Sequence, residues 1–295
     1  MIRKRLSAVL SIAVVVFVVG CGTTSPPPTP DVTAPAQVAV STVVSSSGLP
    51  LTGDDAVEFL RTAQITGRLE KEFDSLAISD PVRVTLTDGQ MTARAVFKDI
   101  DKYDLKFKYG DGRTLTRVKD TYRHEIAAYK LDAMLGLGIV PPCTERTIGS
   151  HTGSLCLWVE HAMTESERIK KQIQPPNAVE FNNQMLVIRL FHQLIWDADY
   201  NNVRNLLIDE SFKLHKIDSS MAFRMDPTLR KEDSLNRFSK KFLTALKSLD
   251  RESLNEGLRP WLNDQQIETL WQRRERILQL ADERVASYGE TVALY

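Results

Sequence analysis

Two periods alternate along the chain. Residues 82–87 and 91–98 place apolar side chains at every second position, and Asp88-Gly89 between them favours a tight reversal, which predicts a β-hairpin. Residues 122–135 follow the helical period instead, with Tyr122, Ile126, Tyr129 and Ala133 on one face. Ahead of the hairpin, Thr52 and Asp55 predict a capping box for a short helix over AVEFLRTAQ. After Pro141-Pro142, the apolar segments 143–148 and 154–160 flank the turn residues 149–153. The first half therefore reads as a small sheet carrying one helix. The second half is mostly helical, over 179–196, 235–249 and 264–287, the last stretch capped by Asn263 and Gln266. Short strands at 206–208 and 213–217 interrupt it. This order predicts an α+β, two-lobed architecture with a β-rich first lobe and a helical second one.

The first fifty residues have no place in that fold. Arg3, Lys4 and Arg5 precede an apolar run over 6–18, the flanks of a secretory signal and too short a run for a comfortable membrane span. The sequence Val18-Val19-Gly20-Cys21 resembles the bacterial lipobox. That resemblance implies a signal peptide over 1–20 and a mature N-terminus at a diacylated Cys21, anchored in the lipid bilayer of the cell envelope. With Gly22 rather than Asp following, it implies the periplasmic face of the outer membrane in a Gram-negative cell. An ordinary secretory signal and an uncleaved anchor stay open as alternatives. Residues 21–50 are rich in Pro, Ser and Thr and nearly uncharged, a composition that stays extended and acts as a tether. The folded part is expected over 51–295, with a division near residue 162.

Charge excludes one class of partner: the 38 basic residues balance the 38 acidic ones, so no basic footprint calls for nucleic acid. Neither H-E-x-x-H, C-x-x-C, Gly-x-Ser-x-Gly nor Gly-x-Gly-x-x-Gly occurs, which argues against a His/Cys metal centre, a hydrolase elbow and a dinucleotide fold. Arg273, Arg274 and Arg276 fall opposite the apolar residues of the C-terminal helix and are expected on its wet face. A hairpin symmetric about Gly149-Ser150 sets Cys143 opposite Cys156, within reach of a disulfide, with two buried free thiols as the alternative.

Five segments occur in an order that resembles the atypical kinases, the branch of the protein-kinase fold with HipA-like, secretory-pathway and phosphatidylinositol 3-/4-kinase-like members. They are AVFK at 95–98, YRHEIAAYKLDAMLGLGIVPP at 122–142, GSLCLWVE at 153–160, LIWDADYNNVRNLLID at 194–209 and KLHKIDSSMAF at 213–223. The resemblance implies an ATP- and Mg²⁺-dependent phosphotransferase acting on an unknown protein or small-molecule acceptor. Lys98 corresponds to the lysine on the α- and β-phosphates and Glu125 to its ion-pair partner. Trp158 and Val159 fall in the hinge that holds adenine. Asp199 matches the catalytic aspartate, Asn205 the second metal ligand and Asp218 the main one. Within the loop, Asp197 with Asn202 is a competing register, because family members space the pair five apart while Asp199 and Asn205 are six apart. Only Asp88-Gly89 lies in the hairpin that would cover the phosphates, so cradling by backbone amides is expected to be limited. A catalytically inactive binding lipoprotein and nucleotidyl transfer to protein are the rival functions.

Overall fold

The computed structural model describes residues 51–69, 81–108 and 114–295 together with Gly110 and Gly112. The signal segment, the tether and Cys21 lie outside the described residues.

The chain enters through α1 (Gly53–Thr62) and β1 (Gln64–Leu69), then forms the hairpin of β2 (Val82–Thr87) and β3 (Thr92–Lys98). The expected capping box at α1 does not form. Thr52 takes the N-cap backbone geometry, but its side chain makes no capping bond. A second hairpin follows, β4 (Asp101–Lys108) with β5 (Thr114–Thr121), leading directly into α2 (Tyr122–Leu135). Thr121 caps α2 by accepting the Arg123 amide, and Gly136 ends it in the left-handed conformation at φ 59°. The loop beyond is fixed by buried Asp132, whose carboxylate accepts the amides of Ile139 and Val140. β6 (Cys143–Ile148) and β7 (His151–Leu157) complete an antiparallel five-stranded sheet in the order β1-β2-β3-β7-β6. β7 starts three residues earlier than the apolar run suggested, because His151 pairs with Ile148 across a two-residue turn.

Period-two alternation gives this sheet two apolar faces. Phe97 and Leu155 face one way and join Ala56, Phe59 and Leu60 of α1 in one core. Cys143 and Cys156 belong to the core that α2 shares with the helical half, and they are joined by a disulfide with an S–S distance of 2.02 Å. Lys98, one residue on from Phe97, points to the α2 side by the same alternation.

The second lobe begins with β8 (Met163–Thr164) and α3 (Glu165–Lys170), then α4 (Ala178–Leu194). β9 (Leu206–Ile208) and β10 (Leu214–Lys216) join β8 in a three-stranded sheet ordered β10-β9-β8. α5 (Lys240–Ser248), α6 (Arg251–Leu258), α7 (Asp264–Tyr288) and α8 (Glu290–Ala293) close the lobe. α7 carries the capping box foreseen between Asn263 and Gln266. Two of the three arginines, however, are not on a wet face, while the partly exposed Arg276 pairs with Glu232 and Glu283. Arg273 is fully buried and donates to the carbonyls of Leu194, Arg224 and Asp226, while Arg274 donates to those of Leu246, Lys247 and Leu249. The loops that α7 covers end in exposed carbonyls, and an arginine fork satisfies several of them at once. Burial of that charge pushes the Arg273 pKa down to about 9. Among the described residues no helix is long and apolar enough to cross a membrane.

Candidate active site

The end of β3, the first turns of α2 and the segment after β10 meet between the lobes. Lys98 Nζ lies 2.8 Å from Glu125 Oε1 and 2.8 Å from Asp218 Oδ1. The other oxygen of Glu125 accepts the Ser219 amide at 2.9 Å, so one carboxylate ties the lysine of the first lobe to the backbone of the second. Burial disfavours the charge on Lys98, but the carboxylates of Asp218 and Glu125 outweigh it and hold the pKa above the ordinary lysine value. Asp218 is likewise disfavoured by burial and pulled below the ordinary carboxylate value by Lys98. β7 comes very close to Lys98 here: a Cβ at Gly153 would overlap the Lys98 carbonyl, so only glycine fits.

The loop after α4 carries a second network. Asp197 is buried, and its Oδ2 accepts from His192 Nδ1 at 2.8 Å and Lys216 Nζ at 2.9 Å. Its Oδ1 accepts the Asp199 amide at 2.9 Å. Lys216, with no exposed surface, also donates to the carbonyls of Ile217 and Asp218, both at 2.9 Å. That grip holds Asp218 at φ 59°, a left-handed conformation unusual for a non-glycine residue. Burial alone would raise the Asp197 pKa; Lys216 and His192 reverse the sign and lower it.

Asp199 is only half-buried. Its Oδ2 accepts from Asn202 Nδ2 at 2.8 Å and from Asn205 Nδ2 at 3.1 Å, which brings the Asp199–Asn205 pair together despite the six-residue spacing. Burial raises its pKa, with the Asn202 bond offsetting only part. The competing register joins no pair: Asp197 is committed to Lys216 and His192, whereas Asn202 caps a short 3₁₀ turn. Tyr200, the residue after Asp199, has a cation against its ring. The Arg230 guanidinium stacks 4.2 Å from the Tyr200 ring and 4.4 Å from the Trp196 ring, and donates to the carbonyls of Asp197 and Ala198.

Around Trp158 and Val159, expected to hold adenine, one backbone amide is already engaged. The Trp158 amide donates to the Arg94 carbonyl at 3.0 Å, and its ring lies under the Arg83 guanidinium at 4.4 Å. Arg94 in turn pairs with Glu160. The Trp158 amide is thus occupied within the protein. At the β2–β3 turn, Asp88 Oδ1 accepts the amides of Gln90 and Met91, so these donors serve the turn itself.

Three parts of this constellation carry no sequence signature. Lys216 sits on the buried face of its strand, two positions from Leu214, which was its only signal. His124, one residue before Glu125, donates from Nδ1 to the Ser220 carbonyl at 2.9 Å, and its Nε2 accepts from Gln266 at the start of α7. Asp120 is buried at the end of β5, and its Oδ1 has no hydrogen-bond partner.

The donor chemistry fits a hard divalent cation. Asp218 offers a carboxylate and Asn205 a carboxamide oxygen, whose NH₂ group is already spent on Asp199. Among the described residues no cluster of three or more His, Cys, Asp or Glu side chains is placed to hold a metal alone. Mg²⁺ suits such a site, because it takes one or two protein oxygens and completes its shell with phosphate and water.

No family model matches the chain, and no curated protein does. Solved structures do. A Fam20 protein of hydra, solved with sugar, is 15% identical with a TM-score of 0.58, over 87% of this chain and 95% of that one. The Helicobacter pylori proinflammatory kinase CtkA is 11% identical with a TM-score of 0.49, over 78% of this chain and 98% of that one. The two-lobed α+β architecture is a kinase-like fold.

Proposed function

We propose that the chain is an ATP- and Mg²⁺-dependent phosphotransferase, anchored in the cell envelope through an acylated Cys21. The observation that carries the reading is the Lys98–Glu125–Asp218 network, in which one lysine from the sheet, one carboxylate from α2 and one from the second lobe converge within hydrogen-bond distance. Phosphoryl transfer needs this arrangement: a fixed cation for the phosphates, an oxygen ligand for the metal, and little else besides positioning.

The chain's own groups divide the work. Lys98 binds phosphate oxygens and is kept charged and aimed by Glu125. Asp218 and Asn205 would hold Mg²⁺, which when bound screens the charge on the phosphoryl group. Asp199 keeps one oxygen on Asn202 and Asn205 and turns the other to the acceptor hydroxyl, whose proton it takes up as the oxygen attacks. Its raised pKa suits that task, since a base works best near the ambient pH. The Cys143–Cys156 disulfide supports the envelope part of the reading, because such bonds persist in oxidising compartments.

The test uses the full chain. A rise in Tm with ATP and Mg²⁺ together, and not with either alone, is the expected result. Asp199→Asn should lower transfer of labelled phosphate from ATP by about 10²- to 10⁴-fold while leaving nucleotide affinity unchanged. A full chain whose Tm ignores the nucleotide–metal pair would refute the enzymatic reading.

A further inference from the structure

The β4–β5 hairpin is an unusual element for its position. It forms a two-stranded sheet of its own, separate from the five strands beside it. Its root packs down on the second lobe. Val118 is buried against Trp196, Ala198 and Met221, and the Arg224 guanidinium, stacked 5.0 Å from the Trp196 ring, donates to the Thr116 carbonyl at 2.8 Å. The hairpin therefore rests on the residues that lead into Asp199.

Its outer surface is apolar and cationic at once. Val118 faces inward, so its neighbour Lys119 faces out, and Tyr103 pairs directly opposite Lys119 on the same face. Tyr103 is 58% exposed and Leu105 73%. Lys119 shares their face, and Lys102, Lys106 and Lys108 alternate with them along β4; all four are exposed, as is Arg117, and among the described residues the exposed acids of the hairpin are Asp101 and Asp104. None of the five cations has a salt bridge to a described residue. The positive rim continues from the root of the hairpin to the loop: Arg224 on Trp196, Arg230 between Trp196 and Tyr200, and Lys231 5.6 Å from the Tyr200 ring, one residue from Asp199.

We infer that this hairpin is a docking arm for an acidic polypeptide segment bearing aromatic or aliphatic side chains. Charge complementarity selects an acidic partner, and Tyr103 with Leu105 supplies the apolar anchor that a purely ionic contact lacks. β4 has β5 as its one neighbour in the sheet, so its outer edge can take an extended chain by strand addition. The cations continue from the arm to the aromatic rings beside Asp199, so a chain docked on the arm meets positive charge along the way to that loop. The surface is independent of the transfer chemistry, since it requires binding alone.

The experiment measures binding of a fluorescein-labelled glutamate–tyrosine copolymer to the full chain by anisotropy. The comparison is a full chain carrying Lys102→Glu, Lys106→Glu and Lys119→Glu, with thermal unfolding checked on both, and a second variant, Tyr103→Ser with Leu105→Ser. The copolymer should bind the wild-type chain, lose about tenfold or more in affinity in the charge-reversed variant and less in the serine variant. Affinity should also fall as salt rises from about 50 to about 300 mM. Equal binding by wild-type and charge-reversed chains, or no binding at all, would overturn the inference. So would capture of the wild-type chain, but not the charge-reversed one, by phosphatidylglycerol vesicles without any binding of the copolymer, because the arm would then be a lipid-binding element. A failed transfer assay leaves this binding result untouched.

Discussion

Lys98 and Lys216 both hold carboxylates at the floor of the cleft, but their surroundings differ. The Lys98 side chain is 13% exposed and its partner Asp218 40%, so solvent and a ligand can reach the pair. Lys216 is 0% exposed and Asp197 1%, and the same ammonium group satisfies two backbone carbonyls besides. Under the proposed function the first pair exchanges its partner, a phosphate oxygen taking the place of Asp218 on Lys98 and releasing Asp218. The second has nothing to exchange with. One lysine is a working contact and the other a fixed strut, although both are written as a strand-end Lys near an Asp.

The largest effect expected from this contrast is on turnover. Lys98→Ala and Asp218→Ala should each reduce transfer of radiolabelled phosphate from ATP by about 10³-fold, with the melting curve close to that of the unaltered chain. Wild-type turnover in either variant would break the assignment. Lys216→Met should do the reverse in kind and strike stability first. It strands Asp197 in a buried site, at a cost of about 3–5 kcal/mol measured by urea unfolding, and Asp197→Asn in the same chain should return part of that loss. If Lys216→Met unfolds no more easily than Lys98→Ala, the strut and the contact are not different things.

Reduction of the Cys143–Cys156 bond should lower stability by about 3 kcal/mol, since it opens a loop with a sequence separation of 13. Non-reducing alkylation followed by mass spectrometry should find both thiols protected. The smallest effect over a single pH unit comes from titration. Burial pushes the His124 pKa from 6.5 down to about 3, so between these values the unfolded chain takes up a proton that the folded chain refuses. The His124 contribution to stability should therefore fall by about 1 kcal/mol per unit as pH drops from about 6.5 toward 3, and His124→Gln should remove that contribution. Asp132 works the other way: burial pushes its pKa from 3.8 up to about 6, so acidification through that range favours the folded state. Denaturant midpoints at several pH values separate the two, because only the histidine variant changes the slope above pH 6.

The parts of this molecule that could be read from sequence are those set by near neighbours. Strict alternation around Asp88-Gly89 fixed β2 and β3, and the opposition of Cys143 and Cys156 followed from the turn between them. The extent of α2 was legible from its helical period, and the structure ends it where Thr121 caps it and Gly136 stops it. β4 escaped notice because Tyr103, Leu105 and Phe107 alternate with charges in a strand that is exposed almost throughout, so no buried face marked it. At the site, Lys98, Glu125 and Asp218 were legible from their order along the chain. The supporting groups were not: His124 meets Gln266 across 142 positions, and no local pattern announces a bond of that span. The buried arginines of α7 were misplaced for the same reason, since periodicity reports a polar residue without saying that a row of carbonyls awaits it.

The His124–Gln266 bond also bears on how such an enzyme could be controlled. In protein kinases the helix bearing the glutamate can shift, making and breaking the lysine–glutamate pair as a switch. Here that helix is fastened at its first turn to the segment following Asp218, through Ser220, and to α7, through Gln266, which also donates to the Phe223 carbonyl. Swinging α2 outward would uncover a neutral histidine, strip a donor from the Ser220 carbonyl and leave Gln266 without one of its acceptors. With that helix bolted down, the proposed activity would be controlled by supply, through which acceptor and which nucleotide reach the site.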